Sequence, residues 1–274
     1  MFRKIESYIK EYLNSQTNKI LCINGARQVG KSYIIRKLCN QHFKNYIELN
    51  MANDKVGDQL FKNVKTIDEF YIETSVIAGE KMFARDNTII FIDEIQEYPQ
   101  LLTLLKPLSE DNKYRYICSG SALGVSLINT TLIPIGTIIE KKMYPMDFEE
   151  FLLANSIGQN VINHLKQCYQ EKKSIELSLH NKILQLFKTY LIVGGMPDAI
   201  KTYIETKNII KVREIQQNII NYYGIDASKY DIEHKLKIKR IYDLVPSNIE
   251  NKVKRIQYTK IENNNDARYT NYID

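Results

Sequence analysis

The clearest chemistry in the sequence lies in eight consecutive residues. Gly25-Ala26-Arg27-Gln28-Val29-Gly30-Lys31-Ser32 fits the pattern GxxxxGK[ST] at each fixed position, after an apolar run and before a stretch with helical character. Glycines in such a loop let the backbone curl around an anion, so that amide N–H groups and a helix N-terminus face a phosphate. Lys31 is then placed to reach the β- and γ-phosphates of a nucleotide, and the Ser32 hydroxyl to join a Mg²⁺ shell made otherwise of water and phosphate oxygen. About sixty residues on, the apolar run Ile89-Ile90-Phe91-Ile92 ends in the adjacent carboxylates Asp93 and Glu94. Asp93 suits a Mg²⁺ held through a water. Glu94 suits the task of orienting or deprotonating an attacking water, because an in-line displacement needs a base opposite the leaving group. A third run closes on Cys118-Ser119-Gly120-Ser121. Ligands of parallel sheets gather at the carboxyl ends of strands, so a hydroxyl of Ser119 or Ser121 would lie between the two carboxylates and the γ-phosphate. Taken singly, these segments also read as a glycine turn, a helix cap and a Ser-Gly-Ser turn; their order and spacing favour one phosphate site.

Five short β-rich runs must position these groups: Ile20 to Asn24, Tyr46 to Asn50, Thr88 to Ile92, Tyr114 to Ser119 and Thr137 to Met143. They alternate with helical stretches, the pattern of a parallel sheet with crossover helices. The first, third and fourth are almost wholly apolar, as central strands covered on both faces are, while the fifth alternates and suits an edge. After Tyr144 the β-rich runs stop. Asp147 and Glu150 form a capping-box pattern for a helix through Leu153, and Pro145 limits any earlier start. A second helix is expected over His180 to Val193, a break at Gly194-Gly195, a restart after Pro197, and a further helix over Lys235 to Leu244 ending before Pro246. The fold class is therefore α/β, with a P-loop core over residues 1–145, a helical segment over 146–233 and a final segment over 234–274.

Composition narrows the function classes. At 274 residues and 44% hydrophobic content the chain can bury a full core without disulfides. Its four cysteines, Cys22, Cys39, Cys118 and Cys168, show no CxxC pair and are expected to be reduced and packed. The N-terminus mixes Arg3, Lys4, Glu6, Lys10 and Glu11 among apolar residues, unlike a signal peptide, and no apolar run approaches the ~20 residues that span a bilayer. A cytoplasmic protein without a membrane partner is expected. The net charge of +6 is small beside 38 basic and 32 acidic residues, so it is only a weak pointer to nucleic acid.

At these motifs the chain resembles the bacterial and archaeal AAA-type ATPases that carry a GxRQVGK[ST] loop, an IDEIQ segment and a following Gly-Ser strand end. Tyr144 to Leu152 (YPMDFEEFL) and Gly194 to Ala199 (GGMPDA) resemble two further motifs of that family, and Ile241 to Ile249 (IYDLVPSNI) extends the likeness to about residue 250. The resemblance implies ATP rather than GTP as the nucleotide, Mg²⁺ as cofactor, a helical lid after the core, and a winged-helix-like segment followed by a restriction-endonuclease-like domain of unknown function. With the sequence ending at Asp274, that last domain is expected to be absent and the winged-helix-like segment incomplete. Members of the family show Gly-Arg where this chain has Gly136-Thr137. If that arginine serves phosphate chemistry or oligomer contacts, this chain has lost it; slow hydrolysis is expected, with Arg27, Arg85 and Arg115 as other candidates for its role.

The leading expectation is an ATPase whose hydrolysis moves the lid. Kept beside it are a nucleotide-gated module read by a protein partner or a second copy of the chain, and a DNA-binding accessory protein resting on the basic stretch Lys235 to Lys260. A P-loop kinase ranks lower, because adjacent Asp93 and Glu94 suit water activation better.

Overall fold

The structure is a computed structural model that describes residues 1–84, 87–121, 136–227 and 235–250. The chain divides into two compact units, Met1–Ile204 and Glu205–Asp274.

The first unit is built on a parallel sheet of five strands: β1 (Ile20–Asn24), β2 (Asn45–Asn50), β3 (Thr88–Asp93), β4 (Arg115–Gly120) and β5 (Ile138–Lys142). Their order is β2-β3-β4-β1-β5, and each neighbouring pair is parallel. All five runs expected from sequence are strands, and β5 lies at an edge, as its alternation implied. The reason that β3 reads as an unbroken apolar run is that all six of its residues are buried. Ile90 and Ile92 face a cluster with Phe61, Phe70 and the leucines of one helix, while Ile89 and Phe91 face another with Ile34, Ile35 and Leu38. Strand side chains alternate between faces, so a strand covered on both sides has no polar face to show.

Helices α1 (Ile5–Asn14), α2 (Lys31–His42), α3 (Met51–Val56), α4 (Ile67–Ala78) and α5 (Pro99–Asp111) belong to the core. Helix α4 opens with a full capping box between Thr66 and Glu69. Tyr12, buried on α1, donates from its hydroxyl to the Tyr116 carbonyl at 2.7 Å and pins that helix to β4. Arg115 donates to the carbonyls of Tyr12 and Ser15 at 2.9 and 2.8 Å, satisfying acceptors at the C-terminus of α1. It stands at the start of β4, away from the strand ends that carry the phosphate motifs, so its candidacy for phosphate chemistry is replaced by a capping role. Arg85 lies outside the described residues.

Cys22 and Cys118 stand opposite one another in the β1–β4 register and are joined as a disulfide, with their Cα atoms 4.7 Å apart. This corrects the expectation of four reduced cysteines. The two are 96 positions apart with no spacing signal, and only the strand order brings them together. Cys39 and Cys168 are free and buried, and burial pushes the Cys39 thiol up to about 12.

Beyond the sheet follow α6 (Phe148–Ala154), α7 (Gln159–Gln170), α8 (Leu177–Val193) and α9 (Pro197–Thr206). The Asp147–Glu150 capping box at the head of α6 is present on both sides. Phe148, Phe151, Phe187, Tyr190 and Tyr203 form an aromatic cluster among α6, α8 and α9. A Cβ at Gly195 would come 2.3 Å from the Met146 carbonyl oxygen, which explains the glycine where the α8–α9 turn crosses the chain before α6. The second unit contains α10 (Ile209–Ala227) and α11 (Lys235–Glu250). Helix α11 runs through Pro246 instead of stopping before it, so the expected end at Leu244 is corrected to Glu250. Lys252, Lys254 and Arg255 lie outside the described residues. Among the described residues no helix is long and apolar enough to cross a membrane.

Candidate functional site

Strand order determines which motifs meet. β4 lies between β1 and β3, so the loop after β1, the carboxylates ending β3 and the serines ending β4 share one edge of the sheet. The loop is fastened at its start, where the Gly25 amide donates to the Gly120 carbonyl at 3.3 Å. A Cβ on Gly25 would sit 2.2 Å from the Met143 carbonyl oxygen. Gly25→Ala is therefore expected to force the loop and the end of β5 apart and to cost about 1–3 kcal/mol, read as a lowered urea midpoint; an unchanged midpoint would show that the contact gives way freely.

Within the loop, Gln28 and Gly30 take positive φ of 63° and 95°. Left-handed residues of this kind turn successive amides toward one centre, the arrangement that binds anions. Ala26 contributes its carbonyl, which with that of Gly25 accepts hydrogen bonds from Lys31 Nζ at 2.9 and 2.8 Å. Lys31 opens α2 and is buried. Burial lowers its pKa, while Glu94 and Asp93 favour its charge. A desolvated ammonium beside a helix N-terminus attracts phosphate more strongly than one in water. Arg27 pairs with Glu97 at 3.6 Å.

Asp93 is the hub of the hydrogen bonds between the motifs. Its Oδ1 accepts from Ser32 Oγ at 2.9 Å and from Ser119 Oγ, and its Oδ2 accepts from Asn50 Nδ2 at 3.3 Å. Burial holds the Asp93 carboxyl above its usual range, against the hydrogen bonds from Ser119 and Ser32. A desolvated carboxylate touching a serine hydroxyl, with a second carboxylate next in sequence, is a hard-oxygen donor set that fits Mg²⁺. Among the described residues no cluster of three His, Cys, Asp or Glu side chains forms an all-protein cage. Mg²⁺ does not need one, since phosphate and water complete its octahedron.

Glu94 has the left-handed backbone conformation φ 53°, ψ 46°. Such a conformation is uncommon outside glycine and asparagine; here it turns the chain from β3 into the 3-10 turn Ile95–Glu97. Its Oε2 accepts from Ser121 Oγ at 3.4 Å and from the Gln96 amide. The two serines of the Ser-Gly-Ser segment thus separate: Ser119 serves Asp93, and Ser121 serves Glu94.

Two contributors were not legible in the sequence. Asn50 ends β2 and reaches Asp93 across the β2–β3 pairing. Arg3, before α1, is 7% exposed and donates to the Val29 carbonyl inside the phosphate loop at 2.6 Å, to the Tyr144 carbonyl at 2.6 Å and to Glu150 at 3.3 Å. A single guanidinium joins the loop to the segment before α6. In the sequence it was one charge in a mixed N-terminal stretch, with no spacing to mark it.

Thr137 precedes β5, and its carbonyl accepts from the Ile20 amide at the start of β1. Five residues of strand, about 17 Å, separate Ile20 from the phosphate loop. Thr137 therefore stands at the opposite end of β1 from the loop Gly25 to Ser32.

Residues 17–152 match the family model described as an AAA domain, and residues 184–274 match one described as a domain of unknown function (DUF8612). A protein of Methanocaldococcus jannaschii, uncharacterized protein MJ1544, is 23% identical over 239 residues, covering 86% of this chain and 48% of that protein. The chain thus spans about half the length of this curated relative. The solved structure of C. elegans PCH-2 is similar at a TM-score of 0.42 and 12% identity, over 80% of this chain and 67% of that one. With the phosphate-loop pattern, the paired carboxylates and a parallel sheet flanked by helices, the chain has an α/β fold of the P-loop NTPase class, within which residues 17–152 are similar to an AAA domain, a nucleotide-binding module of the ATPase type.

Proposed function

We propose that the chain binds Mg-ATP at Gly25–Ser32 and hydrolyses it, and that hydrolysis drives movement of the helical segment 146–233 as a lid. The observation that carries this reading is the convergence of Lys31, Ser32, Asp93 and Glu94 on one strand-end edge, with β4 between their strands. The loop amides from Gly25 to Ser32 bind and orient the phosphates, and Lys31 neutralises the β- and γ-oxygens. Ser32 and Asp93 would hold Mg²⁺, which when bound supplies charge neutralisation across those oxygens. Glu94 orients the attacking water and takes its proton, and Ser119 and Ser121 keep the two carboxylates apart in function by binding one each.

Steady-state Mg-ATP turnover by the purified chain, with Lys31→Ala as blank, tests the reading. Wild-type release of phosphate is expected above the blank, with nucleotide affinity lowered at least tenfold in Lys31→Ala, the equivalent of about 1.4 kcal/mol. Equal rates would leave a nucleotide-gated module. Adding double-stranded DNA to the same assay tests the DNA partner: binding through the basic stretch Lys235 to Lys260 should stimulate turnover and weaken steeply with salt.

A further inference from the structure

Gln96 follows Glu94 by two residues and was assigned no part in the chemistry above. Its side chain is nevertheless the closest partner of the proposed base. One Nε2 proton goes to Glu94 Oε2 and the other to Ser121 Oγ at 3.3 Å, and Ser121 itself donates to the same Glu94 oxygen. The three groups form a closed ring of hydrogen bonds. The amide orientation follows from chemistry: an ionised carboxylate only accepts, so the nitrogen and not the oxygen must face Glu94. That leaves Gln96 Oε1 on the far side, and it is buried with no hydrogen-bond partner among the described residues. Buried acceptors without a partner are uncommon and costly. A side chain that leaves its own oxygen unpaired while spending both amide protons on Glu94 and Ser121 is held for the sake of that carboxylate.

The ring also divides the two oxygens of Glu94. Oε2 accepts both bonds, whereas no described residue donates to Oε1. A carboxylate clamped through one oxygen presents the other in a fixed direction, the geometry a base needs toward a water. The backbone supports the clamp: the Glu97 amide donates to the Glu94 carbonyl at 3.0 Å, closing the 3-10 turn that sets Gln96 beside the carboxylate.

We infer that Gln96 is a positioning residue for hydrolysis, clamping Glu94 Oε2 together with Ser121 so that Oε1 is directed at the attacking water. The inference rests on the ATPase reading and concerns turnover, not nucleotide binding.

The test uses the full chain and two uncharged variants, Gln96→Met and Gln96→Leu, neither of which can donate a hydrogen bond. Mg-ATP turnover is measured with the dissociation constant of a fluorescent ATP analogue and the thermal midpoint. Both variants are expected to lose about tenfold or more in kcat, since small misplacements of a reacting group cost up to about 10². Analogue affinity should stay within about threefold and the midpoint should not move, a split that general loosening of the site would not produce. Wild-type kcat in either folded variant overturns the inference, as does a fall in analogue affinity that parallels the fall in turnover. Absent turnover by the wild type relative to Lys31→Ala overturns the ATPase reading and this inference together, whereas wild-type turnover with unaffected variants overturns only the role of Gln96.

Discussion

With Glu94 replaced by Gln, Mg-ATP turnover is expected to fall by a factor of about 10² or more, the usual contribution of a positioned general base. ATP affinity should hold. The amide has the same shape and keeps one oxygen to accept from Gln96 or Ser121, but it cannot take a proton from water. In the proposed reading binding rests on the loop amides, Lys31 and the Asp93–Ser32 pair, none of whose hydrogen bonds involves Glu94. The left-handed φ of 53° at position 94 is tolerated by Gln much as by Glu, so the fold should survive the change. Single-turnover phosphate release measured alongside equilibrium binding separates the two effects. Wild-type release by Glu94→Gln would remove this carboxylate from the chemistry, and loss of binding would make it a structural group instead.

Replacing Arg3 by Ala is expected to lower the unfolding free energy by about 3–5 kcal/mol, the range for breaking a buried ion pair from one side. The side chains of Arg3 and Glu150 are 8% and 6% exposed, so water cannot readily take over the lost partner. The carbonyls of Val29 and Tyr144 lose their donor in the same step. Glu150 keeps donors in the Lys4 and Asp147 amides at 2.6 and 3.1 Å, which places the expected loss toward the lower end of that range. Arg3→Lys should recover only part of it, because one ammonium cannot reproduce a planar fork aimed at three acceptors. Since Val29 belongs to the phosphate loop, the Ala variant should also bind ATP more weakly. Urea unfolding of both variants with Glu150→Gln, alone and combined, provides the check. A loss below about 1 kcal/mol, or strict additivity with Glu150→Gln, would show that the three-way contact does not hold the loop.

The phosphate loop, the paired carboxylates and the five strands were legible in the residues because each depends on local order. Glycine placement allows the loop's turns, and an unbroken apolar run such as Ile89–Ile92 announces a strand covered on both faces. The capping box of Asp147 and Glu150 was legible for the same reason, its two hydrogen bonds being made within one turn of helix. Pro246 misled because a proline rule is local while α11 continues through it.

What tertiary structure alone decided are contacts between segments far apart in the chain. The sequence by itself determined that a nucleotide-phosphate loop opens a parallel α/β core, because short-range sterics and periodicity specify both. Only the order β2-β3-β4-β1-β5 decided that Cys22 meets Cys118, that Asn50 reaches Asp93, and that Arg115 caps α1 while Thr137 stands at the opposite end of β1 from the loop. The same is true of Arg3, 147 residues from Glu150. Such partners carry no periodicity or spacing, since their proximity is a property of how the sheet is threaded and what packs against it.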